Sequence, residues 1–443
     1  MRTPGDMIRD MRATAARRTA TWALAHAPAK VLFGRQARQG NPMARLITDP
    51  AARLHPEPLW EEIRSRGDLV RGKLSWATVS QPVVGRVLRG EEFTSMFPEP
   101  GNAIGRLYRA VRDPWALGPA EPPSLLAIDA PDHTRLRRLV SRAFTARRVA
   151  GLEAGIEKTT RALLDAMEME DRVDLVDRFA ATLPVTVIAD LLGVLPEERA
   201  PLLSWGNDAA LLLDAGLPYR TFTRAQRGLR EMHQWVHDHI ERLRAEPGDD
   251  VISTVIRQAD DLPEEDRPSP EELRLLALLV LGAGFETTVN LIGNAVVLLD
   301  RHPEQRDLVR SEPDRWPLAV EEVLRFDSPV QLTGRMARQD VEVAGTHLPR
   351  GSGIVMFLGG AHRDPDVFRD PNTFDVTRES AGDHLAFSAG PHYCLGAQLA
   401  RLETAVGLRA LYERFPGLQI EGEPVRHTTQ VLRGWSSVPV RLR

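Results

Sequence analysis

The sequence predicts a mainly α-helical protein with small β-sheets, an α+β fold built as one large unit. Helical spacing of apolar residues dominates the chain, most clearly over 150–169, 224–245 and 395–415. Strand-like alternation of apolar and polar residues occurs only in short pieces. Aromatic residues make up 6% of the 443 residues, fewer than a protein built from aromatic-rich strands needs. These observations favour helix as the dominant structure.

Residues 1–45 predict an N-terminal extension, helical or partly disordered, ahead of a single domain over 46–443. The most apolar part of the extension, 22–32, is interrupted by His26, Pro28 and Lys30. A membrane span needs about 20 apolar residues, so we expect no transmembrane anchor. The extension is expected to dock as a loose helix, with a weak membrane or partner contact as the alternative.

Short strands are predicted at 69–78, at 341–343, at 354–358 and around Val440 near the C-terminus. The segment 97–123 is rich in Pro and Gly, which predicts a continuous loop, and it is too long for a simple connector. We expect it to form a wall or lid of a binding site rather than a linker between domains.

Composition excludes several classes of function. The net charge is -4 and no basic stretch is interleaved with aromatic residues, so nucleic acid is not an expected partner. A single cysteine, Cys394, rules out an intrachain disulfide and a multi-cysteine metal site, which favours a cytoplasmic protein. A lone cysteine is more often an inert buried residue than a reactive one. Its neighbours must therefore decide its role.

A long central helix is predicted from Ser269 to Asp300. Ser269 can cap the helix, Pro270 suits its first position and Glu272 can complete a capping box. The helix would be roughly 45 Å long at about 1.5 Å per residue. Apolar residues cover most of its circumference, so we expect it to be buried.

The middle of this helix carries small and polar residues: Gly282, Ala283, Gly284, Glu286 and Thr287. The two glycines, the buried carboxylate and the hydroxyl cost stability in a buried helix. They have two interpretations. In one, the small residues allow close helix packing and the carboxylate pairs with an arginine. In the other, Ala283 and Gly284 make room for a bulky ligand, while Glu286 and Thr287 deliver protons into a dry pocket. The Thr287 hydroxyl would also compete for a backbone carbonyl and leave a groove there.

The segment 387–396 places Cys394 just before the helix predicted over 395–415, where free amides favour a thiolate. Glycines in this segment allow the backbone to approach a large flat group closely. The pattern Phe387, Gly390, His392, Cys394, Gly396 resembles the signature of the bacterial cytochrome P450 superfamily. Cysteine ligates the haem iron in that family.

The resemblance extends from about residue 49 to the C-terminus. The central segment is similar to the family's oxygen-activation segment, with Glu286 in the acid position and Thr287 in the position that binds dioxygen. Glu322 and Arg325 match its Glu-x-x-Arg motif, and Arg378 matches the third member of that ion network. The i, i+3 spacing puts Glu322 and Arg325 on one helix face.

The resemblance implies a haem b held between the central helix and the helix that follows the cysteine loop, with Cys394 as the iron ligand. Ala283 and Gly284 would lie against the haem. Arginine and histidine side chains suit its propionates, and the resemblance assigns this role to His133, Arg137, Arg335 and His392. Candidate substrate-pocket residues follow from their position beside the haem: Val280, Val330, Leu332, Thr333, Trp435 and Ser436.

The implied activity is a monooxygenase that uses O2 to hydroxylate or epoxidise a hydrophobic small molecule. The segment 283–294 is similar to actinobacterial members that tailor polyketides and macrolides, although fold-level analogy leaves the substrate open. The chain has no flavin or iron-sulfur segment, so the resemblance implies a separate ferredoxin and ferredoxin reductase that deliver electrons from NAD(P)H. The alternatives are another oxidation on the same cofactor, such as aromatic coupling or nitration, a steroid or fatty-acid substrate, a haem carrier without activity, and a haem-free cysteine nucleophile.

Overall fold

The computed structural model describes residues 4–95 and 103–443, with side chains described from residue 14 onward except at residue 104. Most of this part of the chain is helical. The helices are α1 (Pro4–Arg38), α2 (Pro42–Thr48), α3 (Pro50–Leu54), α4 (Glu57–Arg64), α5 (Gln81–Arg89), α6 (Ala103–Val111), α7 (Asp132–Ser141), α8 (Ala146–Ala150), α9 (Glu153–Met167), α10 (Thr182–Leu191), α11 (Leu202–Leu211), α12 (Tyr219–Ala245), α13 (Val251–Asp260), α14 (Pro270–Arg301), α15 (Pro303–Ser311), α16 (Trp316–Phe326), α17 (Leu358–Ala361) and α18 (Ala397–Arg414).

The strands are short and form small sheets beside the helices. They are β1 (Val70–Arg71), β2 (Trp76–Thr78), β3 (Phe93–Thr94), β4 (Arg172–Asp174), β5 (Leu332–Ala337), β6 (Val341–Val343), β7 (Thr346–Leu348), β8 (Gly353–Phe357), β9 (Gln419–Ile420), β10 (Val425–Arg426), β11 (Trp435–Ser437) and β12 (Pro439–Arg441). The largest sheet has the order β1-β2-β8-β5-β3, in which β2 and β8 are parallel and the other neighbours antiparallel. A mainly helical protein with small sheets was predicted.

Helix α14 begins as predicted. The Ser269 hydroxyl accepts from the amide of Glu272, and the Glu272 carboxylate accepts from the amide of Ser269, which is the predicted capping box. Helices α10, α11, α12, α16 and α18 all pack against α14. Among the described helices α14 alone is long and apolar enough to cross a membrane, and 72% of its most apolar window is buried inside the protein. Its position in the core therefore accounts for its apolar surface.

Strand β5 was missed by the sequence analysis, although it lies inside the largest sheet between β8 and β3. Its residues Leu332, Thr333, Gly334 and Arg335 lack the strict alternation of a half-buried strand. Pairing with β8, in which Gly334 lies opposite Val355, fixes the strand instead. Tertiary pairing overrides a weak local pattern here.

The segment 97–123 is partly outside the described residues, because 97–102 are not among them. The rest contains helix α6 and a series of turns, so the expectation of a continuous loop is wrong for 103–111. The Gln226 amide of α12 donates to the Ala116 carbonyl, and the Arg274 guanidinium of α14 donates to the Pro114 carbonyl. These contacts attach the segment to the two helices beside it.

Helix α1 makes specific contacts with the connector between α11 and α12. The Trp22 indole donates to the Leu217 carbonyl at 2.8 Å, and the Leu217 amide donates to His26 Nδ1 at 3.3 Å. The Trp22 ring also meets the Tyr219 ring edge-on. The extension is thus helical and docked by defined hydrogen bonds, while the predicted domain division at residue 45 stays a prediction.

Candidate active site

The middle of α14 is open on one face. Val280, Ala283 and Thr287 follow helical i, i+3, i+7 spacing, so their side chains share a face. Ala283 is exposed and the other two are half-buried, although most of the helix around them is buried. The Thr287 hydroxyl donates to the Ala283 carbonyl at 3.2 Å, which is the competition for a helical carbonyl that the sequence predicted. The helix presents an alanine and a hydroxyl to this opening.

Glu286 is buried on the neighbouring face of α14. Its Oε2 has no hydrogen-bond partner among the described residues, so the alternative that it pairs with an arginine is wrong. Burial raises the pKa of Glu286 to about 7. At neutral pH this carboxyl is therefore divided between its protonated and charged forms, as a group that passes protons requires.

The glycine at position 284 serves helix packing. A Cβ on Gly284 would lie 2.9 Å from Ile188 Cδ1 of α10, closer than real Cβ atoms approach. This contact gives the glycine a packing role, and the expectation that Gly284 makes room for a bulky ligand stays a prediction. Ala283, one residue earlier, faces the opening.

The cysteine loop is closed by a backbone hydrogen bond in which the Cys394 amide donates to the Phe387 carbonyl at 2.9 Å. Gly390 has φ +67°, and a Cβ there would lie 2.6 Å from the Leu88 carbonyl oxygen of α5. A left-handed turn packed on α5 thus explains this glycine, rather than the predicted approach to a flat group. The loop therefore packs against α5 at Gly390, and its own backbone hydrogen bond from Cys394 to Phe387 closes it.

The Cys394 side chain is accessible to solvent, although neighbouring protein atoms enclose its sulfur closely enough to desolvate it. This enclosure raises the pKa of the Cys394 thiol. The amides of Gly396 and Ala397 at the start of α18 and the charges of Arg137 and Arg401 act in the opposite direction. These four groups would stabilise a thiolate whenever a cation binds the sulfur.

A cluster of two arginines and two histidines lies near the loop. The rings of His133 and His392 are 4.2 Å apart. Burial lowers the pKa of His133 to about 4, and the charges of His392, Arg137 and Arg335 act in the same direction. All four predicted propionate-binding residues are therefore close enough to interact.

Asp129 orients this cluster and was missed by the sequence analysis. It accepts from the Ser95 amide, and it forms ion pairs with Arg338 at 2.8 Å and with His392 at 3.4 Å. Burial would raise the pKa of Asp129, but its hydrogen bonds outweigh that effect and lower it. The sequence signal that could have identified Asp129 is its position four residues before His133.

The donor set fits a haem with two propionates. Neither Arg137 nor Arg335 forms an ion pair with a carboxylate within the described part of the chain. Arg137 donates to the Tyr393 carbonyl and Arg335 to the Gly334 carbonyl. A guanidinium with only neutral acceptors is suited to bind a carboxylate. The same residues lie beside an accessible cysteine, as a haem-thiolate site requires.

The predicted ion network is present. The Arg325 guanidinium donates to both oxygens of Glu322 at 2.7 Å, and both side chains are fully buried. Arg378 Nε lies 3.3 Å from the same carboxylate. Arg325 also donates to the carbonyls of Pro371 and Thr373. These contacts tie α16 to the chain between α17 and the cysteine loop.

His362 connects this network to the cysteine loop, and sequence reasoning missed it. Its carbonyl accepts from Arg325 at 2.9 Å, and its Nε2 accepts from the Leu385 amide at 3.0 Å. The imidazole is fully buried, and this burial holds its pKa well below its usual range. It is therefore a neutral acceptor that holds the start of the loop.

Only some of the predicted pocket residues belong together. Val280 lies on the open face of α14, and Thr333 shares a face of β5 with Arg335, whose guanidinium lies 3.5 Å from its hydroxyl. Leu332 points to the other face of β5, where it lines a separate cavity of about 30 Å³ with Trp60. The prediction for Leu332 is therefore wrong. Val330, which bridges to Leu432, stays a prediction.

The predictions for Trp435 and Ser436 are also wrong. Trp435 is buried against Gly293, where a Cβ would lie 3.4 Å from the indole, and the Arg426 guanidinium lies 3.9 Å from its ring centre. Gly293 is ten residues beyond Ala283, about 15 Å along the helix. Ser436 is exposed, and its hydroxyl donates to the Val425 carbonyl.

Comparison with known proteins agrees with this site. A family model described as Cytochrome P450 matches residues 317–433. The chain is 44% identical to cytochrome P450 140 of Mycobacterium tuberculosis over 95% of this chain and 97% of the relative. It is also 44% identical to 6-deoxyerythronolide B hydroxylase of Saccharopolyspora erythraea, over 71% of this chain and 76% of the relative. The solved structure of epothilone D-bound cytochrome P450epoK has a TM-score of 0.80 and 31% identity, over 89% of this chain and 98% of that chain.

These similarities extend over nearly the whole chain and confirm the predicted fold, the haem b cofactor and the oxidoreductase class. The cysteine loop, the central helix and the Glu322–Arg325 pair, found first from the sequence, lie in one structure with the geometry described above. The chain belongs to the cytochrome P450 family of haem-thiolate monooxygenases.

Proposed function

We propose that this protein hydroxylates or epoxidises a hydrophobic small molecule, with Cys394 as the ligand to the haem iron. The haem, when bound, supplies the chemistry that activates O2, and the thiolate favours cleavage of the O-O bond. The observation that carries the proposal is the open face of α14, where Ala283 and Thr287 lie next to the buried, unpartnered Glu286. A haem carrier has no need for a proton donor there.

The chain's own residues would hold the cofactor from three sides. His133, Arg137, Arg335 and His392 would bind the propionates, because they form one cluster in which the two arginines have only neutral acceptors. The loop of Phe387, Gly390 and Gly396 would present the sulfur. Ala283 would let α14 approach the other side closely.

Protons would pass along α14. The Glu286 carboxyl can hold a proton at neutral pH because burial raises its pKa to about 7. The Thr287 hydroxyl donates to the Ala283 carbonyl, and rotation of its Cβ–Oγ1 bond would redirect that donor into the opening. Glu286 would then transfer its own proton to the Thr287 hydroxyl. The two residues together would supply protons while the surrounding apolar helix excludes bulk water.

We infer a polyketide or macrolide as the substrate class. The support is the similarity to a relative named for hydroxylation of 6-deoxyerythronolide B and to a structure that holds epothilone D. Members of this family receive electrons from redox partners. We propose a ferredoxin and a ferredoxin reductase that draw on NAD(P)H, in the cytoplasm, where that reductant is available.

The decisive experiment for ligation is the absorption spectrum of the reduced, carbon-monoxide-bound protein. Wild-type protein should show the red-shifted Soret band of thiolate ligation, and Cys394→Ser should lose it while still binding haem. A band that survives in Cys394→Ser, or that is missing from haem-loaded wild type, would contradict the proposal.

The proton path is tested by coupling, the fraction of reductant that appears as product. Thr287→Ala should divert reductant to peroxide and lower coupling by about tenfold or more, since positioned proton transfer contributes 10²–10⁴-fold. Thr287→Ser keeps the hydroxyl and should retain most of the coupling. Thr288→Ala is the matched control, because Thr288 is buried and its hydroxyl donates to the Gly284 carbonyl. Equal coupling in Thr287→Ala and wild type would reject the role.

A further inference from the structure

A second carboxylate of α16, next to the predicted ion network, contacts α18 and the segment that leads into the cysteine loop. Both Glu321 oxygens accept from the Arg401 guanidinium, one of them at 3.0 Å. The His384 Nε2 atom lies 3.2 Å from the same carboxylate, an electrostatic contact without hydrogen-bond alignment. His384 directly precedes the loop, and its Nδ1 accepts from the Ala386 amide. Glu321 therefore joins three parts of the chain.

Arg401 extends from this carboxylate to both ends of the loop. Its guanidinium carbon lies 4.5 Å from the centre of the Phe387 ring, within the range of a cation-π contact. Its Nη1 donates to the Tyr393 hydroxyl at 3.3 Å. Phe387 and Tyr393 flank the hydrogen bond between the Cys394 amide and the Phe387 carbonyl. One arginine thus contacts the side chains on both sides of the closure.

The environment keeps this ion pair charged and fixed. The side chains of Glu321 and Arg401 are 16% and 25% exposed, less than those of an ordinary surface pair. Burial acts to raise the pKa of Glu321, but His384 and Arg401 outweigh it and hold the pKa at about 2. The planar fork of arginine allows bidentate binding and ring stacking at once, and lysine cannot reproduce both.

We propose that Arg401 is a positioning residue for Cys394, held in place by Glu321. Through Phe387 and Tyr393 it fixes the loop so that the sulfur faces the iron, and its positive charge stabilises the thiolate. This inference rests on the proposed ligation by Cys394. It assigns to a partly exposed ion pair a role in setting the iron's electronic properties.

Helix α18 offers a matched control. Arg409 lies on the same helix as Arg401 and also pairs with carboxylates, Glu157 at 3.6 Å and Glu413 at 4.0 Å. No contact links it to the cysteine loop within the described residues. A variant of Arg409 thus removes an arginine and an ion pair from α18 without touching the loop.

The experiment compares haem-loaded wild type with Arg401→Gln, Arg401→Lys, Glu321→Gln and Arg409→Gln. Two quantities are measured: the rate at which the reduced, carbon-monoxide-bound protein loses its thiolate Soret band, and the ferric/ferrous midpoint potential. Arg401→Gln should lose the band about tenfold faster. Its potential should fall, by up to the 59 mV that corresponds to a tenfold change in a one-electron equilibrium, because removing a cation near the thiolate favours the more positive ferric state.

The Glu321→Gln variant distinguishes the effect of Arg401's position from the effect of its charge. Glu321→Gln should also lose the band faster, because Arg401 is no longer held, but its potential should not fall, since a negative charge has been removed. Arg401→Lys should keep the potential near that of wild type and lose the band at an intermediate rate. Arg409→Gln should match wild type in both quantities.

Two outcomes contradict the inference. If Arg401→Gln matches Arg409→Gln in both rate and potential, Arg401 does not position the cysteine. If both Arg401→Gln and Glu321→Gln lose the band faster with no change in potential, the pair is only structural. Wild type that lacks the thiolate band would instead contradict the proposed ligation, so the two failures are distinguishable.

Discussion

The cysteine loop and the middle of α14 are two parts of the candidate site that are built in opposite ways. The loop side is dense in ion pairs and hydrogen bonds: Glu322 with Arg325, Glu321 with Arg401, and the Cys394 amide with the Phe387 carbonyl. The α14 side leaves Glu286 Oε2 without a partner and exposes Ala283. The loop side is organised to hold one geometry, whereas on the α14 side a buried carboxylate without a partner lowers the stability of the fold.

This difference separates two requirements of the chemistry. A metal ligand must stay in one position, so the contacts around it are redundant. A proton donor must exchange partners, and a fully satisfied carboxylate could not do so. The unpartnered Glu286 carboxylate of α14 therefore marks function, and the paired carboxylates of Glu321 and Glu322 near the loop mark support. Each prediction below tests one side of this comparison.

The largest effect is expected from Glu322→Ala. The substitution leaves Arg325 fully buried without its carboxylate, and breaking a buried pair in this way costs about 3–5 kcal/mol. The measurement is the free energy of unfolding in denaturant, with Glu304→Ala as the control because Glu304 is a mostly exposed partner of His302. A loss below about 1 kcal/mol, the upper range of an exposed pair, would show that the loop side is not held by this network.

On the α14 side, the stability cost of Glu286 should depend on pH. Its pKa rises from 4.5 to about 7 on folding, so the folded state binds a proton more tightly than the unfolded state. The stabilising effect is complete below pH 4.5 and is lost as pH rises through 7, by about 3 kcal/mol.

Glu286→Gln removes this dependence, and the measurement is the difference in Tm between variant and wild type at several pH values. The Tm of Glu286→Gln should rise steadily relative to the Tm of wild type from about pH 5 to about pH 8. A constant difference across this range would show that Glu286 is not buried as a free carboxyl. Glu271→Gln, in the half-buried first turn of α14, serves as the control because it removes a carboxylate from the same helix at a distance from the opening.

A smaller effect is expected where α1 holds the connector before α12. Helix α11, which precedes this connector, packs on α14, where a Cβ on Gly206 would collide with Phe285. Trp22→Ala removes the 2.8 Å bond to the Leu217 carbonyl. Amide exchange around residue 217 should accelerate about tenfold, as expected for a bond worth about 1.4 kcal/mol. Val31→Ala, at an exposed site of the same helix, should leave exchange unchanged; equal rates in the two variants would contradict the role of α1.

The sequence predicted the parts of the site whose partners are close in the chain. The i, i+3 spacing of Glu322 and Arg325 agrees with the pairing that the family resemblance implied, and a Thr four residues after Ala283 was enough to predict competition for a helical carbonyl. Contacts between distant segments, such as that of Arg378 with Glu322, were predicted only through the family resemblance and not from the local pattern. The position of Trp435 depends on how the C-terminal strands cross α14, and no local pattern carries that information.

The smallest effect is expected at Ser388, inside the cysteine loop. Its φ is +63°, a left-handed conformation that costs an L-residue about 1 kcal/mol or more, and its buried hydroxyl has no hydrogen-bond partner among the described residues. Ser388→Gly should therefore raise the free energy of unfolding by about 1 kcal/mol, with the gain reduced by the freer unfolded chain. Ser388→Ala removes only the hydroxyl and should gain less than glycine. If alanine gains as much as glycine, the cost lies in the hydroxyl rather than in the backbone. In either case the loop carries a local cost because the contacts around it hold Ser388 in this conformation, which is what a rigid support for Cys394 requires.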